Sequence, residues 1–201
     1  MRTLVSLLLF CGAIQAADPN LTAGERQMLV SLLVDSRAQL LQSIEGLSPA
    51  QWTFKPAPER WSVGEVVEHI MRSEVLLFQQ AETALNSPEN PDWETKTKGK
   101  TEFLEKIMPT RQGKATAPFE IRPEGKMTRE EILTKFDALR EKSLAFARQV
   151  DKPLKAHTAE HPFPVFNTLN AHQWLLYIPW HNQRHIKQIE EVKASPGFPT
   201  P

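Results

Sequence analysis

Apolar positions recur along the chain in four long stretches, at the three-to-four-residue spacing of a helix face. In the first, Leu29, Leu32, Leu33, Leu40, Leu41 and Ile44 follow Thr22-Ala23-Gly24-Glu25. In that tetrapeptide the Thr hydroxyl and the Glu carboxylate satisfy helix-end amides reciprocally. With Gly46 as terminator, the spacing predicts a helix over 22–45. The second stretch opens on the same device, Ser62-Val63-Gly64-Glu65. Its face of Val63, Val66, Val67, Ile70, Leu77 and Phe78 runs to about Leu85. The third starts at Thr128-Arg129-Glu130-Glu131 and carries Ile132, Phe136, Leu139, Phe146 and Val150, ending near Asp151. The fourth starts near Thr168 or Leu169 and runs to about Lys193, before Pro196, Gly197 and Pro199. Pro179 lies inside it and is expected to kink it, because it removes one backbone donor and crowds the carbonyl of Leu175.

The segments between these helices are long and rich in proline. Ser48-Pro49 opens a short turn, and Pro56 and Pro58 stiffen the link to the second helix. Residues 86–127 are polar and punctuated by Pro and Gly, with a short helix over Thr101–Met108 that Pro109 ends. Pro153, Pro162 and Pro164 mark the loop before the last helix. No strand alternation of useful length appears, and there is no GxGxxG, P-loop, GxSxG or solenoid repeat. The pattern predicts an all-α fold, a four-helix bundle with long Pro-rich connections.

Composition narrows the partners. The 24 Lys+Arg balance 24 Asp+Glu, so no excess of cations is available to release counterions from nucleic acid or from an anionic membrane. The lysines at 96, 98, 100, 106 and 114 lack interleaved aromatics and read as a solvated loop. No segment reaches the ~18 apolar residues of a membrane span. The run from Leu4 to Ile14 behind Arg2 has the size of a signal-peptide core, and Ile14-Gln15-Ala16 resembles a cleavage site. The expected organisation is a signal peptide over 1–16 and one helical domain over 17–201, in a secreted or periplasmic protein. Cys11 offers a lipoprotein alternative, but Phe10 stands where a small residue belongs. Cleavage after Ala16 would remove the only cysteine, leaving packing or a metal to hold the fold.

Histidine dominates the candidate chemistry. His181 and His185 are four residues apart on the fourth helix, a rotation of about 400° that projects both rings from one face roughly 6 Å apart. Two neutral imidazoles so placed can bind one divalent ion. A second pair, His157-Thr158-Ala159-Glu160-His161, spells the inverted zinc-protease pattern. That pattern works only on a helix, and Pro153, Pro162 and Pro164 crowd this segment. His69 lies beside Ile70 on the second helix, while Trp174, Tyr177 and Ile178 precede His181 along a similar face of the fourth. If those helices are neighbours, three imidazoles can meet and leave a coordination position for water or substrate. The alternative is three hydrogen-bonded core histidines.

Trp61-Ser62-Val63-Gly64-Glu65-Val66-Val67-Glu68-His69-Ile70, Ala117-Pro118-Phe119-Glu120-Ile121-Arg122-Pro123, His161-Pro162-Phe163 and Gln173–Ile189 follow in order along one chain. Together they resemble the DinB-like superfamily, which includes the YfiT-type metal-dependent hydrolases. The resemblance implies a four-helix bundle, sometimes a homodimer, in which three histidines hold a divalent ion, zinc or nickel; here they fall on His69, His181 and His185. It implies a metal-dependent hydrolase acting on a small molecule, or a transferase of a low-molecular-weight thiol. Export would take the protein out of the cytosol to where reduced thiols are scarce, which weighs against the thiol reading. A third reading is a closed metal-binding module without turnover, with His161 or His172 as fourth ligand. Glu65, one turn before His69, and Glu68 beside it are candidates for base or imidazole-orienting roles. Tyr177, the only tyrosine, is the candidate pocket residue. Arg184 could meet an anionic substrate, with stacking on Trp180 as the alternative.

Overall fold

Five helices begin on a reciprocal cap, in which the side chain of the residue before the helix accepts an amide hydrogen bond and the third helical residue reaches back to the cap amide. Thr22/Glu25 starts α1 (Ala23–Ser43), Ser48/Gln51 starts the short α2 (Pro49–Thr53), and Ser62/Glu65 starts α3 (Val63–Asn86). α4 (Trp93–Thr97) and α5 (Lys100–Ile107) have no side-chain cap. Thr128/Glu131 starts α6 (Arg129–Gln149) and Asn170/Gln173 starts α7 (Ala171–Lys193). The computed structural model describes residues 17–111 and 116–200. The signal-peptide segment 1–16, Cys11 and Lys114 lie outside the described residues.

α1, α3, α6 and α7 form the bundle, in the order α1–α7–α3–α6 around its axis. One apolar cluster joins the N-terminal half of α1 and α7 to the C-terminal half of α3 and α6. A second joins the opposite halves. Thus α1 and α7 run one way and α3 and α6 the other. The segment between α3 and α6, residues 87–128, must therefore travel the length of the bundle, which is why it is long. Trp174, Leu29, Leu33 and Phe136 sit in these clusters with 1% or less of their surface exposed. Between the clusters lies a buried polar belt that includes Ser36, Glu74, Arg140, Ser143 and Asn182. α2 is held against the start of α3 by the Trp52 ring. A Cβ on Gly64 would stand 2.4 Å from the indole nitrogen, so only glycine allows that approach.

The all-α expectation holds for the bundle, with three local differences. Thr158–Glu160 and Thr168–Asn170 pair as a short antiparallel hairpin, β1 and β2. Three-residue strands are too short to show alternation. The last helix begins at Ala171, not at Thr168 or Leu169, because those residues are committed to the hairpin and Asn170 supplies the cap. Lys100 is part-buried and not merely a solvated loop charge: its ammonium donates to the carbonyls of Phe166 (2.8 Å) and Thr168 (2.7 Å), tying α5 to the hairpin. α7 continues through Pro179. Among the described residues no helix is long and apolar enough to cross a membrane.

Candidate metal centre

α3 and α7 are antiparallel neighbours, which sets His69 opposite His181 and His185. The three side chains converge. His69 Nε2 lies 3.2 Å from His185 Nε2, and His185 Nε2 lies 3.1 Å from His181 Nε2. One nitrogen from each ring falls within 4.8 Å of the other two. His69 and His185 are buried, and His181 is partly exposed, with a shielded Nδ1. Trp61, just before the cap of α3, packs on His69 with ring centroids 4.8 Å apart.

The opposite ring nitrogens decide what the converging ones carry. His69 Nδ1 is 2.8 Å from the carbonyl oxygen of Ile121, in a 3₁₀ turn over Phe119–Ile121. A carbonyl can only accept, so His69 Nδ1 holds the hydrogen. His185 Nδ1 donates in the same way to Gln188 Oε1, at 2.8 Å. In a neutral imidazole the other nitrogen then bears a lone pair. Two lone pairs, on His69 and His185, therefore face each other at 3.2 Å with no hydrogen between them.

Burial keeps the rings neutral. It lowers the His69 pKa to about 4, and it drives His181 and His185 well below the ordinary value, with mutual repulsion among the imidazoles and nearby guanidinium charge adding to the effect. Neutral imidazoles with inward lone pairs are the ligating form. Two nitrogens at about 2.0–2.1 Å from one tetrahedral ion would be about 3.3 Å apart, close to the His69–His185 and His185–His181 spacings. The donor set therefore fits one divalent ion. Imidazole alone does not select among zinc, nickel, copper and iron.

The other residues singled out by sequence divide. Glu65 does not reach the cluster, because its carboxylate accepts from the Ser62 amide (2.7 Å) and pairs with Lys55 (3.0 Å). Glu68 is buried but accepts from the amides of Glu124 and Gly125. Tyr177 stands one turn before His181, with ring centroids 6.1 Å apart, and burial raises its pKa so the phenol keeps its proton. His161 stacks on Trp174 at 4.9 Å and lies 5.7 Å from the Tyr177 ring. It extends the aromatic wall rather than joining the cluster. His172 is buried and also outside the cluster. The inverted zinc-protease pattern is split: Thr158–Glu160 is a strand, and His157 Nδ1 meets the Ser87 carbonyl at 2.8 Å. Arg184 donates to the carbonyl of Thr110. Sequence reasoning missed Trp61, Gln188 and the Ile121 carbonyl. Gln188 was accessible, three residues after His185 on the same helix; a backbone carbonyl leaves no side-chain signal.

The family model described as the DinB superfamily matches residues 32–189. The chain belongs to the DinB superfamily. A relative from Bacillus subtilis (strain 168), the uncharacterized protein YuaE, is 26% identical over 167 residues, covering 82% of this chain and 96% of YuaE. In fold, this DinB protein is similar to YfiT from Bacillus subtilis, with a TM-score of 0.57 at 17% identity, covering 92% of this chain and 95% of that one. YfiT is described as a probable metal-dependent hydrolase with an unusual four-helix bundle topology. The bundle of this DinB protein has neighbouring parallel pairs and a long crossover between α3 and α6.

Proposed function

We propose that this DinB protein is a divalent-metal-dependent hydrolase of a small molecule, with His69, His181 and His185 as the metal ligands. The observation that carries the reading is the pair of lone-pair nitrogens forced together at 3.2 Å by outward-facing N–H bonds. The fold shared with YfiT, itself described as a probable metal-dependent hydrolase, supports the same reading.

A divalent ion held by three imidazoles supplies a Lewis acid for a carbonyl or phosphoryl oxygen and brings the pKa of a coordinated water toward neutrality. The chain supplies the rest. Ile121 and Gln188 hold two rings in one tautomer and one orientation. Trp61 and the buried α3–α7 seam exclude water from one side of the cluster. Tyr177 keeps a phenol proton beside the His181 ring, a donor for a substrate oxygen. The carboxylates of Glu65 and Glu68 are committed to helix-cap, loop and cation partners, so neither serves as the general base. The apolar Leu4–Ile14 segment supports placing this activity outside the cytosol.

Elemental analysis of purified protein, followed by a panel of chromogenic esters, amides and phosphoesters before and after chelation, tests the reading. About one ion per chain, and hydrolysis lost on chelation and regained on adding Zn²⁺ or Ni²⁺, is the expected result. Full turnover in chelator, or a purified chain that takes up no ion, refutes it. Consumption of a reduced thiol with no hydrolysis would replace it with the transferase alternative.

A further inference from the structure

The loop that orients His69 is fastened to the helix by the residue next to His69. Glu68 is 1% exposed, yet it is a carboxylate on a helix that lines the core. Its Oε1 accepts the Glu124 amide at 3.0 Å and its Oε2 the Gly125 amide at 2.9 Å. Arg72, one turn on, donates to Glu68 Oε1 and to Glu124 Oε1, both at 2.9 Å, so it clamps the same junction from outside. Gly125 has φ +67°, a left-handed conformation that turns two successive amides toward one carboxylate. Four residues earlier in this loop, the Ile121 carbonyl accepts from His69 Nδ1. Consecutive side chains of α3 therefore hold two points of one loop, and the loop in turn holds His69.

We infer that Glu68 is a positioning residue for the candidate metal centre: by anchoring the 121–125 loop to α3, it keeps the Ile121 carbonyl where it fixes His69 as the Nδ1–H tautomer, with Nε2 free to ligate. The inference rests on the metal-binding reading for its purpose, but its mechanism concerns the imidazole itself and can be read without metal. Charge-assisted bonds to two backbone amides are stronger than neutral ones and directional. An amide side chain in place of the carboxylate offers one oxygen for the two N–H groups and turns an NH₂ toward the other. With the anchor weakened, the Ile121 carbonyl is held chiefly by the His69 bond it is meant to enforce, and the Nε2–H tautomer becomes accessible. That tautomer puts a hydrogen where the ion belongs.

The test uses the full chain with ¹⁵N-labelled histidine, as wild type, Glu68→Gln, Glu68→Ala and Glu74→Gln. The last is a control that perturbs a buried carboxylate of the same helix away from the loop. In chelated protein at neutral pH, long-range ¹H–¹⁵N spectra report the tautomer of His69. Wild type and Glu74→Gln are expected to show the Nδ1–H form, and Glu68→Gln a mixture. In Zn²⁺ competition titrations, Glu68→Gln is expected to bind about 10–100-fold more weakly than wild type, with altered visible bands in the Co²⁺-loaded protein and unchanged helix content. If Glu68→Ala does not fold, Glu68→Gln decides. A pure Nδ1–H tautomer and a Zn²⁺ affinity within about twofold of wild type in Glu68→Gln overturns the inference, as does an equal loss in Glu74→Gln. Wild type that binds no Zn²⁺ defeats the metal reading separately, while the tautomer spectra still judge the role of Glu68.

Discussion

Two buried polar clusters lie between the long helices of this bundle, and they solve burial in opposite ways. One is the knot around Arg140 on α6 and Glu74 on α3, both wholly buried. Arg140 donates from Nε and Nη2 to the two Glu74 oxygens, each at 2.9 Å, and from Nη1 to Ser36 Oγ at 2.9 Å and to the Leu33 carbonyl. Ser143 adds a bond to Glu74 at 3.0 Å. Asn182 closes the set, its amide oxygen toward Arg140 Nη2 and its NH₂ toward the Ile178 carbonyl. Charge cancels charge and every strong donor has an acceptor. The other cluster is the three histidines. It carries no charge, the inner nitrogens of His69 and His185 face each other without a hydrogen to share, and His181 Nδ1 has no hydrogen-bond partner. A cluster complete in itself is architecture. A buried cluster whose imbalance one added cation would resolve is a site.

That contrast is broken most sharply by removing one member of each. His185→Ala is expected to abolish stoichiometric metal binding, weakening affinity by well over about 100-fold, since even the groups that merely orient a ligand contribute about 10–100-fold. The fold should hardly notice, with stability within about 1 kcal/mol of wild type, because truncation also removes the unfavourable lone-pair contact with His69. Arg140→Met should do the reverse. It strands the Glu74 carboxylate in the core, for a loss of about 3–5 kcal/mol in chemical denaturation, while metal per folded molecule stays the same. Adding Glu74→Met should recover most of that loss. A stable Arg140→Met protein that no longer holds metal would show that the two clusters are one.

The pH dependence sharpens the comparison further. His69, His172, His181 and His185 are folded as neutral rings, with pKa values lowered to about 4 for His69 and His172 and well below the ordinary value for the other two, chiefly by burial. Unfolded, each titrates near 6.5. Below that pH the unfolded chain binds more protons, so stability must fall as pH drops from about 6.5 toward 4, and above it stability is independent of these groups. A single ring lowered to about 4 contributes up to about 3 kcal/mol to that fall. Denaturation of chelated protein at pH 7, 5.5 and 4.5 measures it. Zn²⁺ should displace the fall to lower pH through His69, His181 and His185 but not through His172, so His172→Gln should flatten the metal-loaded profile. An identical slope in His172→Gln would remove that ring from the account.

How much of this was legible from residue order differs between helix and site. The three Thr/Ser-x-x-Glu boxes and the apolar spacing located the starts of α1, α3 and α6, because capping and amphipathicity are local physics written in neighbouring residues. The cap of α7 was missed because Asn170 and Gln173 are a less familiar version of the same box, behind strand residues too few to show a period. The proximity of His181 and His185 followed from helical spacing. The approach of His69 required α3 and α7 to be neighbours, a tertiary fact that only the family resemblance supplied. Glu65 misled for a physical reason: a glutamate in the third position of a helix answers first to its own cap. The Arg140–Glu74 knot gave no sign, because the partners are 66 residues apart and each alone looks like a surface charge.

The smallest effect tests whether outward partners matter as argued. His69 is oriented by a backbone carbonyl, which no point mutation deletes, whereas His185 is oriented by Gln188 Oε1 at 2.8 Å, which one does. Gln188→Ala should leave stability nearly unchanged and weaken Zn²⁺ binding by about 10-fold, the low end for such partners, because His185 remains constrained by a well-packed helix. Gln188→Glu should restore wild-type affinity or exceed it, since a carboxylate holds the same N–H more strongly and makes the far nitrogen a better donor. The order Ala below Gln, and Gln at or below Glu, is specific to an orienting bond. If only side-chain volume counted, Glu and Gln would match and a Leu at 188 would serve as well as either. Equal affinity across all four would mean that the helix alone aims His185, and that the lone pair facing His69 is set by something other than Gln188.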